Sequence, residues 1–184
     1  TECETGDNGM TLYELSAYGV IGAITPSTNP AETLICNSIG MLAAGNAIFF
    51  SVHPGAKHLS RLLVSELNQI IAKSIGIENL IVTIREPSIE SAQEMMLHPD
   101  VSLLVVTGGP GVVKQALQSG KKVIGAGAGN PPAFVDETAD IKKAAQDIVL
   151  GASLDNNNKC IAEKSVVAMR QIEPKLVQEM VKVG

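Results

Sequence analysis

The sequence predicts an open α/β sheet, with parallel strands covered by helices on both faces. Three observations carry that expectation. Short apolar runs alternate with helix-like segments from one end of the chain to the other. Most of the runs are continuous rather than alternating, the pattern of strands buried on both sides. The segments between them repeat their apolar residues at helical spacing. Strand–helix alternation of this kind gives a parallel, Rossmann-like sheet.

Taken in order, the stretch Thr1–Gly9 is polar and reads as a disordered end carrying Cys3. Strands are expected at Val20–Thr25, Ala47–Ser51, Leu80–Ile84, Leu103–Thr107, Lys122–Ile124, Ala133–Val135 and Val166–Met169. Asn29-Pro30-Ala31-Glu32 starts a helix: Asn29 suits the N-cap, Pro30 the first position, and Glu32 completes a capping box. Leu59, Leu62, Leu63, Leu67, Ile70 and Ile71 fall on one face of the next helix. Ile141, Ala144, Ala145, Ile148 and Ala152 do the same further on. The polar run Asp155–Asn158 is the clearest candidate boundary, dividing the chain into residues 1–155 and 156–184.

The chain has 184 residues, 45% of them hydrophobic, enough for one domain with a sizeable core or for one domain and the start of another. The formal charge is -5, with no basic stripe and no series of stacking aromatics, which argues against nucleic acid as a partner. With 3 Phe, 2 Tyr and no Trp, a pocket must be lined by aliphatic side chains and backbone. No apolar run approaches the roughly 18 residues of a membrane span, and Thr1–Gly9 lacks the apolar region of a secretory signal. Cys3, Cys36 and Cys160 are odd in number and widely spaced, a pattern of neither a disulfide framework nor a zinc site, so a reducing cytoplasm is expected and no metal. The chain begins without Met and stops just after a helix-like segment, so a fragment is expected.

In open α/β sheets ligands bind beyond the carboxyl ends of the strands. The segments there are Pro26–Pro30, Val52–Gly55, Gly108–Gly111, Gly125–Pro132 and, after a helix, Asn156–Cys160. Thr107-Gly108-Gly109-Pro110-Gly111 follows a strand and opens a helix. It reads either as a pyrophosphate site on free N–H groups or as a tight turn. Gly125, Gly127 and Gly129 precede two prolines and read as a wall of backbone beside a ligand. His53 reads as a ribose or adenine contact or, without context, as a surface histidine in a turn; His58 and His98 read as surface residues. Asn29 is either a helix cap or a donor to an oxyanion. Cys160 follows five polar residues rather than sitting in an apolar run, so its thiol can face a cleft, with Lys159 favouring the thiolate. The alternative is a loop cysteine without a role.

The motifs GVIGAITPSTNP, MLAAGNAIFFSVHPGAK, TGGPGVV, GAGAGNPP and DNNNKCIAEKS occur here in one order and spacing. Together they resemble the aldehyde dehydrogenase superfamily over essentially the whole chain. The likeness is greatest to its CoA-acylating branch found in bacterial microcompartments, of the ethanolamine-utilisation type, with the propanediol-utilisation type nearly as close. The resemblance implies a nicotinamide-cofactor-binding domain over 1–155, and the nucleophile loop with the start of a catalytic domain over 156–184. It implies NAD-dependent oxidation of acetaldehyde or propionaldehyde to acyl-CoA, with coenzyme A as co-substrate. Cys160 would be the nucleophile and Asn29 a catalytic partner. Thr25, Pro26, Ser27 and His53 would contact the adenosine half of the cofactor, and Thr107, Gly108 and Gly109 would lie against the cofactor. A homo-oligomer, microcompartment shell or cargo partners, and a cytoplasmic location, in or out of a microcompartment, are implied in the same way. Most of the catalytic domain and the oligomerisation arm would follow Gly184.

Three departures from the family pattern stand out. His53 occupies the place of the usual lysine before the proline. The oxyanion Asn of hydrolytic relatives lies one residue earlier, where Thr28 stands. Their glutamate base corresponds to Ala126, and Gly125–Asn130 holds no carboxylate. Two other readings compete: an acyl-phosphate reductase of the same superfamily, and a non-catalytic nucleotide-binding module.

Overall fold

A computed structural model describes the whole chain, Thr1–Gly184. Contacts divide it into two compact units, Thr1–Gly127 and Ala128–Gly184. The break comes earlier than the expected 155/156 boundary. The helix before that boundary packs with the segments after it, so the polar run is a loop inside the second unit.

The first unit opens with an antiparallel hairpin, β1 (Glu2–Gly6) and β2 (Gly9–Tyr13). This corrects the reading of Thr1–Gly9 as a disordered end, and Cys3 lies on a paired, exposed strand opposite Leu12. The turn is Asp7-Asn8 followed by Gly9 at φ 141, a left-side geometry that glycine adopts without strain.

The main sheet holds β3 (Val20–Ile24), β4 (Ala47–Ser51), β5 (Ile81–Thr83), β6 (Val101–Thr107) and β7 (Lys122–Ala126). Their order is β5-β4-β3-β6-β7, and every pairing is parallel. Side chains alternate between two cores. Ile21, Ala23, Ile48, Phe50 and Leu103 pack under α1 (Pro30–Ala43) and α2 (Lys57–Ile75). Ile24, Leu104 and Val106 pack with α3 (Ile89–Leu97) and α4 (Pro110–Leu117) on the other face. Helices on both faces were the sequence expectation, and the structure has them. Gly22 belongs to the close approach on the α3 side: a Cβ there would meet Leu104, Met95 and Val101 at 3.0–3.1 Å.

The expected apolar face of α2 is only partly used. Leu63, Leu67 and Ile71 pack on the core with Val64 and Ser60, whereas Leu59, Leu62 and Ile70 are exposed. The sheet covers a narrower arc than the apolar pattern spans. Buried Asn46 staples the entry to β3, accepting from Tyr18 N at 2.7 Å and Gly19 N at 3.1 Å.

The second unit pairs β8 (Pro132–Val135) in parallel with β9 (Ser165–Ala168). Helices α5 (Ile141–Ser153) and α6 (Glu173–Val183) pack on one face of this pair, around Val135, Ile141, Ala145, Ile148 and Leu176. Here the expected apolar face of α5 is the buried one. Phe134 and Val167 point to the other face and are exposed. No helix is long and apolar enough to cross a membrane.

Candidate active site

Strand β3 lies at the centre of the main sheet. The chain steps outward from it to β4 and β5, then returns to lay β6 and β7 on the opposite side. The order reverses between β3 and β6, and a ligand crevice forms beyond the carboxyl ends of the strands at such a switch point. Ile24 pairs with Ser51 on one side and Val106 on the other, and Thr107 pairs with Ala126. Thr25 N donates to Ser51 O at 3.3 Å, and Gly108 N donates to Ala126 O at 3.1 Å. Thr25-Pro26-Ser27, His53 and Thr107-Gly108-Gly109 therefore leave the sheet along one edge, with Ala126 beside them.

This edge has features that suit a dinucleotide. Thr25 is 2% exposed, yet its hydroxyl has no hydrogen-bond partner in the chain. Leaving such a group unpaired costs about 1–3 kcal/mol, so a ligand atom there would be favoured. Gly109 is the N-cap of α4, and nothing lies within 4 Å of the Cβ it lacks. Its neighbour Gly108 is needed for packing, because a Cβ would come within 2.8 Å of Val112. Pro110 occupies the first helical position, so Gly111 and Val112 present the unpaired N–H groups of the first turn.

Exposed His53 caps a single 3-10 turn over Pro54–Ala56: its Nδ1 accepts from Gly55 N at 3.1 Å. An accepting Nδ1 puts the ring proton on Nε2, which has no partner in the chain and can donate outward. His98 Nδ1 accepts from Asp100 N at 3.3 Å at the end of α3, and His58 is exposed on α2. A hollow of about 380 Å³ lies beside α3, near the amino ends of β3 and β6. Val20, Phe49, Met95 and Val101 line it, and none of the expected site residues do.

Asn29 stands at the N-cap of α1, followed by Pro30 as expected, but its side chain makes no capping bond. The expected capping box with Glu32 does not form. Thr28 donates its hydroxyl to Asn29 Oδ1 at 3.2 Å instead, and Thr33 closes the turn by donating to Asn29 O at 2.8 Å. With Oδ1 engaged, the Asn29 amide nitrogen is left as an uncommitted donor.

The second unit holds the nucleophile candidate. Cys160 is exposed in the loop between α5 and β9, and its thiol is free. The approach to it is unusual backbone: Asp155, Asn156 and Asn157 have φ of 51, 52 and 60. Non-glycine residues rarely take left-handed conformations, and Asn and Asp take them at least cost. Side-chain bonds hold this turn. Asn157 Nδ2 donates to Ala152 O at 2.7 Å and Glu163 O at 2.9 Å. Lys164 donates to the Asn157 backbone and side-chain oxygens and to Lys159 O.

Gly129 closes the loop from the other side, where a Cβ would lie 2.1 Å from the Cys160 carbonyl oxygen. The glycine wall expected beside a ligand thus packs, at Gly129, on the backbone of Cys160 itself. Glu163, the carboxylate nearest Cys160 in sequence, rests on Gly151 of α5, where a Cβ would meet Oε2 at 2.2 Å. Sequence reasoning missed Asn157, Lys164 and Gly129 in these supporting parts. The run of Asp and Asn was the available signal, as those residues tolerate left-handed backbone.

The switch point of a parallel α/β sheet lies in the first unit, and the exposed thiol of Cys160 lies in the second. The profile of the aldehyde dehydrogenase family matches residues 2–183, and the chain belongs to that family. It is 57% identical over 98% of its length to a propanal dehydrogenase (CoA-propanoylating) of Salmonella typhimurium, and covers 39% of that protein. It is 50% identical over 96% of its length to the acetaldehyde dehydrogenase (acetylating) EutE of Escherichia coli, covering 38%. Among solved structures, it superposes with a TM-score of 0.89 on a Rhodopseudomonas palustris propionaldehyde dehydrogenase with bound propionyl-CoA. That match has 58% identity and covers all of this chain and 40% of the other. A propionaldehyde dehydrogenase from the Clostridium phytofermentans fucose utilisation bacterial microcompartment gives 0.88 at 53% identity, covering 98% and 42%. The chain thus spans about two fifths of the length of the relatives it matches.

Proposed function

We propose that the protein containing this chain oxidises a short aldehyde, acetaldehyde or propionaldehyde, to acyl-CoA through a thioester on Cys160, with NAD as hydride acceptor. The relatives named above are acylating dehydrogenases of these two aldehydes. Residues 1–155 carry the cofactor edge in this reading, and 156–184 carry the nucleophile loop. Thr25, Pro26, Ser27 and His53 would hold the adenosine half, with Thr107, Gly108 and Gly109 along the rest of the cofactor. NAD supplies an acceptor for the hydride that leaves the substrate carbon. Cys160 attacks the aldehyde carbonyl, and the Asn29 amide is an uncommitted donor of the kind that stabilises an oxygen gaining charge. Loss of hydride from that carbon leaves the acyl group on sulfur. The coenzyme A thiolate then attacks the acyl carbon and the Cys160 thiolate leaves. Assembly as a homo-oligomer and a microcompartment setting belong to the same proposal, the latter supported by the Clostridium phytofermentans relative.

One observation carries the choice of thiol over water as acceptor: no carboxylate lies within Gly125–Asn130, where hydrolytic relatives would place their base. Glu163, the carboxylate nearest Cys160 in sequence, is seated on Gly151. A positioned base is worth about 10²–10⁴ in rate to water, whereas a few per cent of a thiol with pKa about 8.5 is already thiolate at neutral pH. The test supplies full-length enzyme with aldehyde and either NAD or NADP, with and without coenzyme A, and quantifies acyl-CoA and free acid. Acyl-CoA should dominate, with NAD preferred. Sustained acid production without coenzyme A, at a matching rate, would overturn the proposal.

A further inference from the structure

We propose that Lys164 is a positioning residue for the nucleophile, acting through the carbonyl of Lys159 and the left-handed turn at Asn157. This rests on the reading of Cys160 as the nucleophile. The Lys164 ammonium has three donors, and all three find acceptors in the loop: Asn157 O at 3.1 Å, the Asn157 side-chain oxygen, and Lys159 O at 3.3 Å. It forms no ion pair with any carboxylate, unlike Lys57, Lys143 and Lys182. Like Lys121, which donates to His98 O and Val101 O, Lys164 spends its charge on neutral oxygens, and charge-assisted bonds of this kind are the stronger ones.

The contacts bear on the cysteine directly. Lys159 O and Cys160 N belong to one planar peptide, so holding the oxygen fixes where the N–H points. Ala162 N donates to the same oxygen at 3.3 Å. Cys160 N–H itself donates to nothing in the chain, which leaves it available beside its own thiol. A backbone N–H next to a nucleophile is well placed to stabilise an oxyanion, provided its direction is set beforehand. Asn157 completes the clamp. Its amide bonds to Ala152 O and Glu163 O tie the turn to the end of α5 and to the residue before Lys164. Lys164 N donates to Pro131 O at 3.1 Å, anchoring the lysine's own backbone to the segment that carries Gly129.

The experiment uses the full-length enzyme with three variants. Lys164→Met keeps the stem and removes the donors. Lys164→Arg restores charge and donors. Asn157→Gly keeps the left-handed backbone and removes the amide. Lys164→Met should lower kcat by roughly 10²-fold, the scale of a misplacement near 1 Å, with KM for NAD and the unfolding midpoint close to the parent's. Lys164→Arg should recover much of the loss, and Asn157→Gly should lower kcat in the same way. Parental kcat in Lys164→Met would overturn the proposal. So would a loss that follows a lowered unfolding midpoint, raises KM for NAD alongside, and is not recovered by arginine. Cys160→Ala, assayed in parallel, separates the two levels: activity there defeats the nucleophile reading, whereas an inactive Cys160→Ala beside a normal Lys164→Met defeats only the role of Lys164.

Discussion

At Gly129 a single methyl group would reach within 2.1 Å of the Cys160 carbonyl oxygen. Backbone cannot yield to that contact without moving the loop. Gly129→Ala should therefore cut kcat of the full-length enzyme by roughly 10²-fold while leaving cofactor binding near normal, since geometry at the reacting atom is what changes. Steady-state kinetics with separate titrations of aldehyde and NAD would check this. Cys160→Ala should abolish aldehyde oxidation outright, and Cys36→Ala, on the exposed side of α1, should not. Near-normal turnover in the Cys160 variant would sink the nucleophile assignment. The candidate cysteine was legible in sequence because a thiol after five polar residues is out of place in a core. Gly129 was legible only as a glycine, since its partner is a backbone atom 31 positions along the chain.

At the scale of elements, helix ends give the sharpest expectations. Asp140 caps α5, accepting from Lys142 N at 3.0 Å and Lys143 N at 3.1 Å. Asp140→Ala should cost about 1 kcal/mol. Gly40 lies inside α1 on its exposed side, with open space where a Cβ would go. Gly40→Ala should stabilise by about 0.5–1 kcal/mol through backbone entropy. Urea unfolding with unchanged slope would read both shifts. Elements were unevenly legible. The central strands announced themselves as continuous apolar runs. The β1–β2 hairpin did not, because Glu2, Glu4 and Thr5 make its first strand polar, although Asn8-Gly9 is a hairpin turn signal. A capping box exists, but on α3, where Ser88 and Ser91 exchange bonds, rather than at Asn29. Asn29 meets Thr28 first, and the bond to that hydroxyl competes with the cap.

For the whole molecule, the 184-residue chain carries its own buried cores in both units. Expressed alone, it should fold with its parallel sheet, bind NAD weakly and turn over little aldehyde, because it spans about two fifths of the length of its relatives. Full specific activity from the chain alone would contradict that. In the complete enzyme, Ala126→Glu should raise the free-acid fraction, because it returns a carboxylate to the sequence position where hydrolytic relatives carry their base. Ala126 ends β7 and its carbonyl accepts from Gly108 N, so the added carboxylate would start from the carboxyl edge of the sheet. Product analysis by chromatography distinguishes the two outcomes.

The sequence by itself determined the layered α/β class, the central strands and the loops beyond their carboxyl ends. Those properties follow from local hydrophobic period and from glycine and proline chemistry, which act over a few residues. Tertiary structure alone decided the rest. It put the reversal of strand order at β3 and β6, so that Thr25 and Thr107 share an edge although 82 positions separate them. It moved the unit boundary to Gly127/Ala128, because α5 buries Ile141, Ala145 and Ile148 against β8, β9 and α6. It also turned Asp155–Asn157 into left-handed backbone clamped by Lys164. The first two depend on contacts between residues far apart in the chain, and no local pattern records which distant partner a side chain will meet.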